Sequence, residues 1–259
     1  SPDYSHRYYV DGSPTVVDAV INNQWRTILV GGLNAGGQAI YALDITDPTQ
    51  FSEAQADSIF LWEFSDQDHP EMGYSFSRPA IVKLQDGKWY AVFGNGYNNI
   101  QADDHISSNG DAVLYLVDLA SGALVRSIST DTGMQEDPSG QHRPNGFTTV
   151  TPVDEDGDYS VDVIYGGDLF GNVWKFDLKA KLPNDWALEY KLFQACGGVD
   201  CRADNAQSIT SRVTVSRKGN ANLVLFGTGK YFEQVDNQTT AVQSFYGIWD
   251  RGQPGTGRR

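Results

Sequence analysis

The sequence predicts an all-β fold, a β-propeller of four-stranded antiparallel blades that is irregular or incomplete in this segment. Three observations predict it. A unit of strands recurs along the chain, each unit carrying an almost wholly apolar second strand that ends in glycines. A third strand ending aromatic-x-apolar-Asp, or close to it, follows in every unit. The composition, with 27 glycines, 12% aromatic and only 20% charged residues, suits many short strands joined by tight turns.

Unit one reads Asp11-Gly12-Ser13-Pro14-Thr15-Val16-Val17, then Thr27 to Gly32, then Ile40-Tyr41-Ala42-Leu43-Asp44. Unit two reads Ser77 to Val82, then Trp89 to Gly96, then Leu114-Tyr115-Leu116-Val117-Asp118. Unit three reads Val150-Thr151-Pro152-Val153, then Val163 to Gly167, then Val173-Trp174-Lys175-Phe176-Asp177. Unit four reads Arg212 to Val215, then Leu223 to Gly229, then Phe245 to Asp250. The apolar second strands have the character of strands buried between neighbouring blades. Their glycines allow close approach around a central channel. An outer fourth strand follows in three units, at Ile59 to Phe64, Leu124 to Ile128 and Leu188 to Phe193. Four antiparallel strands per repeat make a propeller blade. Unit four lacks its outer strand, and four units are few for a closed ring, so sequence outside this segment is expected to complete it.

The repeats predict one propeller domain over residues 1–250 and a flexible tail over 251–259. Inserts interrupt units two and four, at Tyr97 to Asp111 and Glu233 to Ser244, where partner contacts concentrate more often than in core strands. The chain opens Ser1-Pro2-Asp3, which predicts a segment of a longer precursor with no signal peptide expected within it. No apolar stretch is long enough to span a membrane. The net charge of -14 argues against nucleic acid and anionic membrane partners and fits a secreted, calcium-tolerant protein.

The stretch Asp154-Glu155-Asp156-Gly157-Asp158-Tyr159-Ser160-Val161-Asp162 places aspartates at relative positions 1, 3, 5 and 9. This is calcium-loop spacing: carboxylates at 1, 3 and 5, a backbone carbonyl at 7 (Ser160) and a further oxygen at 9. Clustered carboxylates repel one another unless a cation neutralises them. The alternative is a metal-free Asp/Gly-rich hairpin turn. The loop departs from an EF-hand. Position 12 is Tyr165 rather than glutamate, position 6 is Tyr159 rather than glycine, and β-rich segments flank the loop where an EF-hand has helices. Calcium is favoured over magnesium, which tolerates fewer protein ligands.

Two cysteines, Cys196 and Cys201, and four scattered histidines cannot build a zinc site. The pair is expected to form a local disulfide in an oxidising compartment, with two unpaired thiols as the alternative. Asp66, Asp68, His69 and Glu71 read as a solvated polar turn, and Asp103-Asp104-His105 as exposed insert. The aspartates closing the third strands, Asp44, Asp118, Asp177 and Asp250, read as acceptors of turn N–H groups. Trp25, Trp62, Trp89, Trp174, Trp186 and Trp249 read mostly as blade packing. No constellation predicts an enzyme.

The segments Phe93 to Asn98, Val150 to Asp154, Gly166 to Leu178, Phe226 to Phe232 and Ser244 to Asp250, with His6 to Pro14 ahead of them, occur in an order that resembles the C-terminal β-propeller of the PilY1/PilC family. Its members are type IV pilus tip adhesins and assembly factors. The resemblance implies a non-enzymatic protein at the cell surface or pilus tip, or associated with the outer membrane after export through the periplasm. It implies association with minor pilins and other pilus tip proteins. It implies that a calcium loop, here Asp154, Asp156, Asp158, Ser160 and Asp162, governs pilus extension against retraction, and with it twitching motility and surface attachment. Host or abiotic surfaces would be met through an N-terminal region absent from this segment.

Two other readings share the blade pattern. A quinoprotein dehydrogenase of the pyrroloquinoline quinone type needs a complete ring and a quinone pocket. An integrin-like calcium-dependent adhesion propeller repeats the calcium loop in several blades, whereas this chain carries it once.

Overall fold

A computed structural model of the chain describes residues 4–100, 104–198, 201 and 205–254. Asp103 in the first insert and residues 255–259 of the expected tail lie outside them.

Four antiparallel sheets follow one another in sequence order. The first contains β1 (Thr15–Ile21), β2 (Gln24–Gly32), β3 (Ala39–Asp44) and β4 (Phe60–Ser65). The second contains β5 (Ala80–Lys83), β6 (Trp89–Gly94), β7 (Val113–Asp118) and β8 (Leu124–Ser129). The third contains β9 (Thr151–Val153), β10 (Val163–Gly167), β11 (Asn172–Asp177) and β12 (Ala187–Gln194). The fourth has three strands, β13 (Thr214–Lys218), β14 (Ala221–Gly227) and β15 (Phe245–Asp250). Each sheet is a meander in which sequence neighbours pair, so these are blades. Among the described residues no sheet closes on itself. The all-β propeller expectation holds, including the missing outer strand of unit four.

Strand boundaries differ from the sequence reading mainly at the two ends. The first strand runs to Ile21, beyond Val17, because Asn22 and Asn23 both take left-handed conformations and close a tight hairpin onto Gln24. Asparagine tolerates that region better than most residues.

The hydrophobic core lies between blades rather than within them. One cluster joins Ile28, Ile40 and Phe64 of blade one to Phe93 and Tyr115 of blade two. A second joins Val92 and Leu114 to Ile164, Phe176 and Trp186. A third joins Tyr165 and Val173 to Val224, Phe226 and Tyr246. β6 and β10 are accordingly buried along almost their whole length, whereas β14 alternates buried and half-buried positions. The glycines ending the second strands make these contacts possible. A Cβ on Gly94 would lie 2.3 Å from Phe147 Cβ, and one on Gly167 would lie 2.4 Å from Ile209 Cγ2. Their counterpart in blade four, Gly227, faces nothing within 4 Å.

Hydrogen bonds lock the same seams. Trp62 Nε1 donates to Leu119 O at 2.9 Å, and Thr151 Oγ1 donates to Val213 O at 2.5 Å. Asn95 Oδ1 accepts from the N–H groups of both Val113 and Phe147. Trp186 is fully buried, as blade packing requires, but Trp25 is 69% exposed.

The polar turn after β4 is only partly solvated. Asp68 is exposed and accepts from Ser65 N. Glu71 is half-buried and accepts from Asn99 Nδ2 (2.9 Å), Ser107 Oγ (2.7 Å) and Asp111 N (3.2 Å). It therefore anchors the insert that begins at Tyr97. Burial pushes its carboxyl upward, against the Ser107 hydrogen bond.

Asp137 organises the turn leading into blade three. It accepts from Ser139 N, Ser139 Oγ and Arg143 N, and pairs with the Arg143 guanidinium. Burial disfavours its charge, but these donors outweigh burial and hold its pKa at about 2, below the ordinary 3.8. A depressed folded-state pKa stabilises the fold above the unfolded value, and that contribution fades as pH falls from 3.8 through about 2. Urea unfolding followed across this interval should show a falling midpoint. Asp137→Asn should lower the midpoint at neutral pH and flatten that acid dependence.

Candidate metal centre

The acidic loop connects β9 to β10, an antiparallel pair in register Val153–Val163 and Thr151–Tyr165. The strand–loop–strand reading is thus observed. Asp162 N donates to Val153 O at 3.0 Å and Leu178 N to Asp162 O at 2.8 Å, which ties the end of the loop into blade three.

Within the loop, backbone N–H groups orient the carboxylates. Gly157 N and Tyr159 N donate to Asp154 at 2.6 and 2.9 Å. Asp158 N donates to Asp156 at 3.1 Å, and Glu155 N to Asp162 Oδ2 at 2.6 Å. Asp154, Asp156 and Asp162 each present a carboxylate oxygen within 4.8 Å of the others. Asp162 is buried, and burial pushes its pKa above the ordinary value, with Asp156 and Glu155 adding repulsion.

Asp158 stands apart from that trio. It is exposed and accepts from Gln85 Nε2 at 3.0 Å and Ser160 N at 2.7 Å. The Gln85 hydrogen bond, followed by the Ser160 N–H, holds its pKa below the ordinary value. Ser160 is itself buried.

Tyr159 occupies the position where an EF-hand has glycine, and it takes φ +68° with its side chain 89% exposed. Gly157, at φ +85°, makes the other left-handed step. Two left-handed residues let nine residues wrap tightly. A tyrosine there is strained by roughly 1–2 kcal/mol.

Glu155 points the other way. Its carboxylate meets Lys179 Nζ at 2.8 Å, Arg217 Nη1 at 3.6 Å and Asn222 Nδ2 at 2.8 Å. Asn222 Nδ2 also donates to the Tyr165 hydroxyl at 3.1 Å, and that hydroxyl donates to Asp250. Asp250 further accepts from the Tyr190 hydroxyl at 2.7 Å and pairs with buried Lys175 at 3.2 Å. Burial works against the Lys175 charge, but Glu189 and Asp250 outweigh it and raise the pKa. On the opposite side, Val161 N donates to Lys83 O at 2.9 Å. The loop is therefore held by blade two through Lys83 and Gln85 and by blade four through Glu155.

Asp44, Asp118 and Asp177 cap turns as expected, accepting from Thr46 N, Ser121 N and Lys179 N. Asp250 caps Gly252 N and is also the buried end of the network above. Cys196 and Cys201 are disulfide-bonded, with Cα atoms 5.2 Å apart.

One central residue escaped the sequence reading. Asp168 is fully buried and accepts from Asn145 Nδ2, Asn172 Nδ2, Asn172 N, Phe170 N and Trp174 Nε1. Burial pushes its pKa up, opposed by the Trp174 and asparagine donors. It sits in a glycine-flanked turn, where an aspartate reads as exposed. The signal was the neighbouring Asn172 and Trp174, two side-chain donors within six residues.

The family profile described as PilY1 beta-propeller domain matches residues 3–258. The chain belongs to the PilY1 β-propeller family. A type IV pilus biogenesis factor PilY1 homolog of Xylella fastidiosa is 41% identical over 98% of the chain and 17% of its own length. The type IV pilus biogenesis factor PilY1 of Pseudomonas aeruginosa PAO1 is 37% identical over 95% of the chain and 21% of its own length. The chain thus spans about a fifth of these curated relatives. The crystal structure of the Pseudomonas aeruginosa PilY1 C-terminal domain superposes with a TM-score of 0.78 at 33% identity, covering 95% of this chain and 50% of that one.

Two outcomes follow for the loop. Glu155→Gln should destabilise the chain by about 1 kcal/mol in urea unfolding, and a cycle with Lys179→Met should show coupling between the two sites. Tyr159→Gly should be neutral or stabilising by up to about 1 kcal/mol, whereas Tyr159→Val should destabilise, because only glycine takes the left-handed region freely.

Proposed function

We propose that the chain is the calcium-binding β-propeller of a type IV pilus tip-associated assembly and adhesion factor. In this reading it binds rather than catalyses, and its calcium state biases pilus extension against retraction and surface attachment. The observation that carries the reading is the convergence of Asp154, Asp156 and Asp162 in a loop braced by two neighbouring blades. The donors are all hard oxygens, and their spacing matches ligands sharing one ion at 2.3–2.6 Å, roughly the calcium range. Asp154, Asp156 and Asp162 would supply carboxylates and Ser160 its backbone carbonyl. Asp158 would join by exchanging Gln85 for the ion. Bound calcium supplies the positive charge that three converging carboxylates lack.

The chain's own residues explain why occupancy of this loop would reach further than the loop. Asp162 accepts from the N–H of Glu155, whose carboxylate grips blade four, so ordering the aspartates also fixes that strut. A ligand of the ordered state stabilises it by about 2.7 kcal/mol at a hundredfold excess over Kd. That suffices to shift the population of an adjoining contact surface. Minor pilins and pilus tip proteins are the partners this reading assigns, with the protein on the cell surface or at the pilus tip.

Calorimetric titration of the metal-stripped chain should give a calcium heat with a Kd on the order of 10⁻⁴ to 10⁻³ M or somewhat tighter. Asp156→Ala should abolish it, and Asp158→Ala should weaken it. Absence of heat in the native chain, or full binding by Asp156→Ala, removes the metal from this account. Co-purification with minor pilins at high and chelated calcium then tests the partner.

A further inference from the structure

The acidic loop carries its aspartates at ligand spacing, yet one of them stays out of the cluster. Asp154, Asp156 and Asp162 each bring a carboxylate oxygen within 4.8 Å of the others, and Asp158, at position 5, is not among them. Its carboxylate is engaged elsewhere. Ser160 N donates to Oδ1 at 2.7 Å from within the loop. Gln85 Nε2, 73 residues distant and on blade two, donates to Oδ2 at 3.0 Å.

Gln85 is anchored independently of the loop. It lies in the turn between β5 and β6, where Leu84 N donates to Lys88 O at 3.1 Å and Gly87 N to Leu84 O at 2.9 Å. Leu84 is fully buried in the seam between blades two and three. Asp86 braces the other side of the turn, accepting from Lys88 N and the Tyr90 hydroxyl. Among the described residues the Gln85 amide makes no side-chain hydrogen bond other than that to Asp158. Asp158, by contrast, is exposed and follows Gly157, where an added Cβ would meet nothing within 4 Å. The acceptor therefore has room to turn, whereas the backbone of the donor is held. A second tie between the same segments, Val161 N to Lys83 O at 2.9 Å, uses no aspartate side chain and does not depend on where Asp158 points.

The supply of oxygens gives this bond its consequence. Calcium takes roughly six to eight oxygen ligands. The three converging carboxylates and the Ser160 carbonyl fall short of that number, and Glu155 is committed to Lys179, Arg217 and Asn222. Asp158 is the carboxylate left in the loop to add. A ligand that must first give up a hydrogen bond contributes less net affinity, by the worth of that bond.

Resting on the calcium reading of this loop, we propose that Gln85 is a gate that sets its affinity. Gln85 withholds Asp158 from the converging trio, and filling of the site exchanges the Gln85–Asp158 bond for an Asp158–calcium contact. Occupancy is thereby marked by loss of a side-chain tie between blades two and three.

Calorimetric titration of the metal-stripped whole chain with calcium chloride tests this in the native chain, Gln85→Met, Asp158→Ala and the double variant. Methionine keeps the reach of glutamine and deletes its donor. Gln85→Met should tighten calcium binding about fivefold. In the Asp158→Ala background, where nothing is left to withhold, it should change affinity by less than about twofold. The side-chain amide signal of Gln85 in the nitrogen-15-labelled native chain supplies a readout that a merely structural role would not move. On calcium saturation it should shift to the position it has in calcium-free Asp158→Ala. Three results each overturn the gate while leaving calcium binding by the native chain in place: unchanged or weaker binding in folded Gln85→Met, an equal gain in the Asp158→Ala background, or an amide signal indifferent to calcium. Absence of calcium heat in the native chain removes the calcium reading and the gate together. Matching melting temperatures establish that the variants are folded, and the amide signal of the native chain decides alone if Gln85→Met is not.

Discussion

The burial of one sheet face against the next is the constraint on which this structure depends. A single four-stranded meander has two faces and cannot bury either by itself. Here Phe93 and Tyr115 are covered by blade one, Ile164 and Phe176 by blade two, and Val224 and Phe226 by blade three. The second strands of the middle blades are therefore apolar on both sides. Their terminal glycines bring each blade close to the next, as Gly94 does against Phe147 and Gly167 against Ile209. Blade four has this support on one side, and its β15 carries Phe245 and Trp249 on the exposed face.

Clustered polar groups occupy the places this packing leaves to the backbone. The acidic loop lies outside the apolar seams, yet Lys83, Gln85, Lys179, Arg217 and Asn222 hold it from three blades. An isolated hairpin with these carboxylates would spread under their repulsion. In this setting the N–H groups of Glu155, Gly157, Asp158 and Tyr159 offset part of it and aim the oxygens inward. Burial of Asp162 works in the opposite direction, disfavouring its charged form.

Buried polar groups set the geometry between blades more sharply than apolar contact does. Asp168 gathers five N–H donors from the hub end of blade three, including one from Asn145 in the segment that enters that blade. Asp250 draws Tyr165, Tyr190 and Lys175 together across the seam between blades three and four. Hydrogen bonds are directional, so such groups select one register among many that would bury similar apolar area.

Much of this was legible in the chain alone. The repeat of apolar strand, glycines and closing aspartate follows from local periodicity, which is why the blades, the missing outer strand and the strand–loop–strand setting of Asp154 to Asp162 could be read directly. The pairing of Cys196 with Cys201 followed from their short separation. The chain alone could not say that Glu155 turns away from its neighbours, that Asp158 is drawn to Gln85, that Glu71 anchors an insert, or that Asp168 is buried. Each of those depends on a partner between 23 and 73 residues distant, brought close by the folding of the blades. Periodicity determines which residues form strands and which face is apolar, because those are properties of neighbours in sequence. The meeting of polar side chains across a seam was decided by the tertiary structure, because it depends on how one sheet lies over another.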